Sequence, residues 1–136
     1  MAKKKKIMIV DDSKTLRKIV CFAVEKVFSF DKPLEAEDGL EGLHKLSEEE
    51  DIDLILLDVN MPKMNGLEFL EKVRKDSSRE RIPIVMLSTE NKDIDKDKAL
   101  TLGSDAYLEK PFAAGKLKGV IDEIFDKKKD EKEESA

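Results

Sequence analysis

The chain has 136 residues, 40% hydrophobic and 42% charged, with a formal net charge of −5 at pH 7. That length suits one domain with a core large enough to fold alone, and the acidic balance excludes a general nucleic-acid binder, which carries a basic domain. The basic run Lys3 to Lys6 is followed by too few apolar residues for a signal peptide, and no stretch approaches a transmembrane helix in length. Neither membrane insertion nor export is expected, which leaves the cytoplasm.

Strand and helix patterns alternate along the chain. Ile7 to Val10 form an apolar run that ends in Asp11-Asp12. A first helix follows, with Leu16, Ile19, Val20, Ala23, Val24 and Val27 at helical spacing and Ser13 as its cap. Pro33 to Glu37 read as a short second strand ending at Asp38-Gly39, and Leu40, Leu43 and Leu46 line a second helix. Ile52 to Leu57 are an almost unbroken apolar third strand that runs into Asp58. A loop from Asn60 to Gly66 leads to a third helix carrying Leu67, Leu70 and Val73. The fourth strand, near 83–87, runs into Ser88-Thr89 and precedes a segment, 91–102, with only a weak apolar stripe of Ile94, Ala99 and Leu102. The fifth strand, near 106–109, leads to Lys110-Pro111 and a last helix with Leu117, Val120, Ile121, Ile124 and Phe125 inward.

Continuous aliphatic runs of this length read as strands buried on both faces of a parallel sheet. Five of them alternating with helices give an α/β fold: a (βα)5 doubly wound five-stranded parallel sheet, with right-handed crossovers leaving few alternatives. The domain is expected over residues 1–126. Residues 127–136 form a charged C-terminal segment, either a fraying helix end or a solvated tail.

In such sheets the ligand sits outside the carboxyl ends of the strands, where strand order reverses. Asp11, Asp12 and Asp58 are thereby delivered to one edge, with Ser88 and Lys110 beside them. Two carboxylates about 4 Å apart repel by about 4 kcal/mol at an effective dielectric near 20, so the cluster needs protonation or a cation. Hard oxygen donors without histidine or paired cysteine select Mg²⁺ or a similar ion over zinc. A cation, a lysine and a hydroxyl around one carboxylate suit phosphoryl transfer, and Asp58, at the end of the central strand, is the natural nucleophile. Cys21, the only cysteine, reads as a small apolar residue in a packed helix, and His44, the only histidine, as surface.

These residues carry a resemblance. Ile9-Val10-Asp11-Asp12-Ser13, Leu57-Asp58-Val59-Asn60-Met61-Pro62, Met64-Asn65-Gly66-Leu67, Met86-Leu87-Ser88 and Lys110-Pro111-Phe112 resemble the receiver domain of two-component response regulators over about residues 6–126. The likeness is strongest to the stand-alone, CheY-like chemotaxis type, whose strand order is 2-1-3-4-5. It implies that Asp58 is phosphorylated by a histidine kinase, and that Asp11, Asp12, Asp58 and the backbone carbonyl of Asn60 hold Mg²⁺. It also implies that Ser88 and Lys110 contact the phosphoryl group, and that Asn60, Thr89 and Glu90 tune its lifetime. Thr89 departs from the chemotaxis type, where a smaller residue is usual. Tyr107 is the aromatic switch on this reading, and a half-buried packing residue on the ordinary one. The family also has a cis peptide before the proline that matches Pro111.

Two functions from different classes compete. The first is a signalling module without an output domain, which binds a downstream target through segment 91–102, the Tyr107 strand and the final helix. It acts as a monomer, with a phosphatase as a further partner. The second is a Mg²⁺-dependent phosphohydrolase of the haloacid-dehalogenase kind, which needs a second aspartate two residues after the nucleophile. Asn60 stands there instead. A dinucleotide-binding reading fails because no glycine-rich phosphate loop follows the first strand.

Overall fold

The aliphatic runs become five parallel strands of one sheet in the computed structural model, which describes residues 6–28, 32–49, 51–59, 61, 64–76, 82–88, 93–109 and 113–134. In chain order the elements are β1 (Ile7–Val10), α1 (Lys14–Phe28), β2 (Leu34–Ala36), α2 (Gly39–Glu48), β3 (Leu54–Asp58), α3 (Gly66–Lys75), β4 (Ile84–Ser88), α4 (Asp93–Thr101), β5 (Ala106–Glu109) and α5 (Ala114–Glu134). The strands lie in the order β2-β1-β3-β4-β5. Every residue of β1, β3 and β4 is buried, which is why those strands show no polar alternation.

Side chains alternate between two cores, as the two-residue period of a strand requires. Ile7, Ile9, Leu54, Leu56, Val85 and Leu87 face α1 and α5, while Met8, Val10, Ile55, Leu57, Ile84 and Met86 face α2, α3 and α4. No helix among the described residues is long and apolar enough to cross a membrane.

Two apolar faces differ from the sequence expectation. Ile19 is 58% exposed, because α1 turns Val20, Cys21 and Val24 toward the sheet and leaves Ile19 about 100° round the helix from Val20. Leu40 is 52% exposed. Leu46 is buried and Leu43 packs against the core as expected, and Gly39 and Gly42 take the buried positions beside them. A Cβ on Gly42 would lie 2.9 Å from the ring of Phe69, so the small residue allows α2 and α3 to meet. Leu117, Ile121 and Ile124 of α5 are buried as expected, with Val120 and Phe125 packed beside them. The side chains of Val27 and Ile94 lie outside the described set.

Strand limits shift slightly. β3 starts at Leu54, since Asp53 is occupied with Lys6, each using its backbone amide to bond the other. β4 starts after Pro83, which has no N–H but whose carbonyl accepts from Ile55 at 3.0 Å. Both strands therefore include their terminal polar residue, Asp58 and Ser88. β2 is shorter than expected because Asp38 leaves the sheet to cap α2, accepting from the Glu41 amide at 2.8 Å. The α5 backbone is helical through the charged segment as far as Glu134.

Candidate functional site

β1 and β3 are the central pair of the winding: the chain moves from β1 out to β2, then crosses back to β3 on the other side. Val10 is paired with Leu57, so Asp11 and Asp58, the residues that follow them, stand at the same level of the sheet edge. Asp58 is paired with Leu87 and Ser88 with Glu109, which puts Ser88 one strand over at the same edge.

One carboxylate oxygen from each of Asp11, Asp12 and Asp58 lies within 4.8 Å of the others. Asp11 and Asp58 are only 1% and 5% exposed, while Asp12 faces solvent. The donor set is all hard oxygen, two of its members are buried, and no described histidine or thiol joins it. It therefore fits a small divalent cation of the Mg²⁺ kind.

The local backbone is firmly held. The Asp11 amide donates to Ala36 O at 3.0 Å, and its Oδ1 accepts from the Ser13 amide at 2.9 Å. Ser13 also caps α1, its Oγ accepting from the Leu16 amide at 3.2 Å, as expected from the sequence. After Asp58, the Val59 amide donates to Leu87 O at 3.0 Å and the Gly66 amide to Val59 O at 2.9 Å. Gly66 has no alternative here, because a Cβ would sit 2.2 Å from the carbonyl oxygen of Asp58. Asn65 then caps α3 by accepting from the Glu68 amide at 2.9 Å.

Asn60, Thr89, Glu90, Lys110 and Pro111 lie outside the described residues. Tyr107, on β5 opposite Met86, packs against the core shared by α2, α3 and α4. Its hydroxyl oxygen is buried and has no hydrogen-bond partner among the described residues. His44 is exposed and pairs with Glu48 at 2.6 Å. Cys21 is buried away from this edge, and burial pushes its thiol up to about 11.

Two features were missed from the sequence. Arg17 and Glu35 form a buttress behind Asp11. Their signal was a first helix whose opening turns carry Lys14, Arg17 and Lys18 and no acid in the first turn, against the preference of a helix N-terminus. Ile19 and Phe22 (65% exposed) form an outward apolar stripe on α1, bordering a shallow depression lined also by Lys14, Thr15 and Lys18.

The sheet order and the acidic corner place the chain among doubly wound α/β proteins with a ligand site at the switch point. More narrowly, the profile of the response regulator receiver domain matches residues 7–122, and the chain belongs to that family of signalling modules. It is 38% identical over 120 residues to a chemotaxis protein CheY homolog of Campylobacter jejuni, covering 88% of this chain and 92% of that protein. It is equally similar to the chemotaxis protein CheY1 of Helicobacter pylori, with coverages of 88% and 96%. Among solved structures, the chemotaxis protein CheY4 of Vibrio cholerae superposes with a TM-score of 0.82 at 33% identity, over 90% of this chain and 99% of that one. A CheY-like receiver domain protein from Methanospirillum hungatei gives a TM-score of 0.84 at 31% identity, over 95% and 99%.

Proposed function

We propose that the chain is a response regulator receiver of a chemotaxis-type two-component pathway, and that Asp58 accepts a phosphoryl group from the phosphohistidine of a histidine kinase. The observation that carries this reading is the convergence of the three aspartates on one sheet edge, with Asp58 buried at the end of the central strand. In the forward step a carboxylate oxygen of Asp58 bonds to phosphorus while the phosphorus–nitrogen bond of the donor breaks and the imidazole leaves. In the hydrolytic step water attacks phosphorus, the bond between phosphorus and the Asp58 oxygen breaks, inorganic phosphate leaves and the carboxylate is restored.

Asp11, Asp12, Asp58 and the backbone carbonyl of Asn60 would hold Mg²⁺, which when bound neutralises charge on the phosphoryl oxygens. Ser88, buried one strand away, donates its hydroxyl to the phosphoryl group, and Lys110 supplies the countercharge. Asn60, Thr89 and Glu90 set how easily water enters. Tyr107 then responds to the movement of Ser88, and segment 91–102, β5 and α5 present the changed surface to a target protein. The exposed Ile19–Phe22 stripe supports a protein as donor, because it begins within two turns of Asp12 on the same helix end. A cytoplasmic location and a monomeric resting state belong to this reading.

The test is mass spectrometry after incubation with acetyl phosphate or phosphoramidate and Mg²⁺. The wild-type chain gains one phosphoryl group and Asp58→Asn gains none. An unchanged gain in the variant moves the nucleophile elsewhere, first to Asp12. Sustained turnover of para-nitrophenyl phosphate would favour the hydrolase instead.

A further inference from the structure

Asp11 is held from several sides. Its amide donates to Ala36 O on β2, and its carboxylate accepts from the Ser13 amide. Its backbone carbonyl accepts from Arg17 Nη1 at 2.7 Å. Arg17 lies on α1 with its side chain only 12% exposed, and its Nε donates to Glu35 Oε1 at 3.2 Å. Glu35, on β2, is itself fixed: its other carboxylate oxygen accepts from Lys18 Nζ at 2.7 Å and its backbone oxygen from Lys45 Nζ. Burial works to raise the Glu35 carboxyl, but the hydrogen bonds from Lys18 and Arg17 outweigh it and hold it below the usual carboxylate range.

We propose that Arg17 is a positioning residue for the divalent-cation site, using Glu35 as its post to fix the peptide that carries Asp11. The inference rests on the reading that Asp11, Asp12 and Asp58 hold the cation. A guanidinium suits the task because its planar fork reaches the Asp11 carbonyl and the Glu35 carboxylate at once, whereas an ammonium is a point donor on a flexible stem. Partners that orient metal ligands commonly change affinity 10- to 100-fold when removed.

Arg17 also brings a positive charge toward an acidic cluster, and that effect has the opposite sign. A positioning role makes removal of Arg17 weaken cation binding; a purely electrostatic role makes removal strengthen it. The two are separable by direct Mn²⁺ binding, read by electron paramagnetic resonance or calorimetry on the full chain at pH 7, with thermal unfolding measured beside it.

The expected result is that Arg17→Met and Arg17→Lys each raise the Mn²⁺ Kd about tenfold. Glu35→Gln, which loosens the post but keeps Arg17, raises it less and in the same direction, and keeps the proposal testable if Arg17→Met does not fold. Tighter binding in Arg17→Met with no change in Arg17→Lys overturns the proposal in favour of charge alone. Lower melting temperatures with an unchanged Kd in all three variants overturn it in favour of a merely structural contact. In both cases the cation site itself survives, shown by Mn²⁺ binding to wild type that Asp12→Ala abolishes. A wild-type chain that binds no Mn²⁺ overturns the site and the Arg17 role together.

Discussion

Tyr107 keeps its hydroxyl oxygen buried and without a partner among the described residues, at a cost of about 1–3 kcal/mol for such a group. An outward, hydrated position would relieve that cost, which is the property the proposed switch role asks of this side chain. Tyr107→Phe removes the orphaned group and keeps the ring. It is expected to stabilise the fold by about 1 kcal/mol, measured as a higher urea midpoint at unchanged slope. An unchanged midpoint would mean that the hydroxyl is hydrated in solution. Cys21 offers a second check. Its thiol is raised from 9.0 to about 11 by burial, so the unfolded chain ionises first as pH climbs. The stability that the neutral thiol contributes is complete below pH 9 and is lost as pH rises toward 11. The stability gap between wild type and Cys21→Ala should therefore shrink by about 2–3 kcal/mol across that window. Below it, native Cys21 should resist thiol reagents that label the unfolded chain. Both residues were legible in outline: a lone cysteine inside an amphipathic helix reads as core. The orphaned hydroxyl was not legible, since only the packing of β5 against α4 decides whether a tyrosine oxygen finds water.

At the scale of elements, glycines separate sharply by what surrounds them. Gly66 starts α3 where a Cβ would lie 2.2 Å from Asp58 O and 2.9 Å from Val59 Cα, and neither backbone atom can yield cheaply. Gly66→Ala should cost about 3 kcal/mol and slow phosphorylation, since the atom displaced belongs to the peptide of Asp58, the proposed nucleophile. A Cβ on Gly119, in α5, would meet nothing within 4 Å beyond its own helix among the described residues. Gly119→Ala should add up to about 1 kcal/mol from helix propensity and leave labelling of Asp58 intact. It should weaken binding of the phosphorylated form only if a partner approaches α5 closely at that point. Full partner affinity would leave the glycine as local weakness. The strands themselves were readable because burial on both faces makes them unbroken aliphatic runs. Helix faces were read less well. Ile19 and Leu40 fit the helical period, but the period identifies a stripe and not which edge of it meets the sheet. Close approaches through Gly39 and Gly42 moved the contact line of α2 off Leu40.

Across the whole molecule, parallel strands in the order β2-β1-β3-β4-β5 gather acidic groups from two distant stretches of chain at one edge. Asp11, Asp12 and Asp58 were legible as a cluster because Asp11-Asp12 and Asp58 end two buried runs, and parallel strands end on the same side. The buttress behind them was not legible, because Arg17 and Glu35 meet only once β2 is laid beside β1. The unfolded chain has no such cluster, since 46 positions separate Asp12 from Asp58, so a cation that relieves their repulsion binds the folded state alone. Its stabilisation follows from the ratio of free cation to Kd, about 2.7 kcal/mol at a hundredfold excess over Kd. For a domain of this size that corresponds to a rise of about 10 °C in melting temperature. The rise should appear on replacing EDTA by saturating Mg²⁺, and it should largely vanish in Asp12→Asn, where the exposed ligand is lost while buried Asp11 and Asp58 remain. Equal melting temperatures in EDTA and in Mg²⁺ would mean that the three carboxylates share no cation. A rise preserved in Asp12→Asn would place the cation elsewhere on a chain of which 42% of the residues are charged.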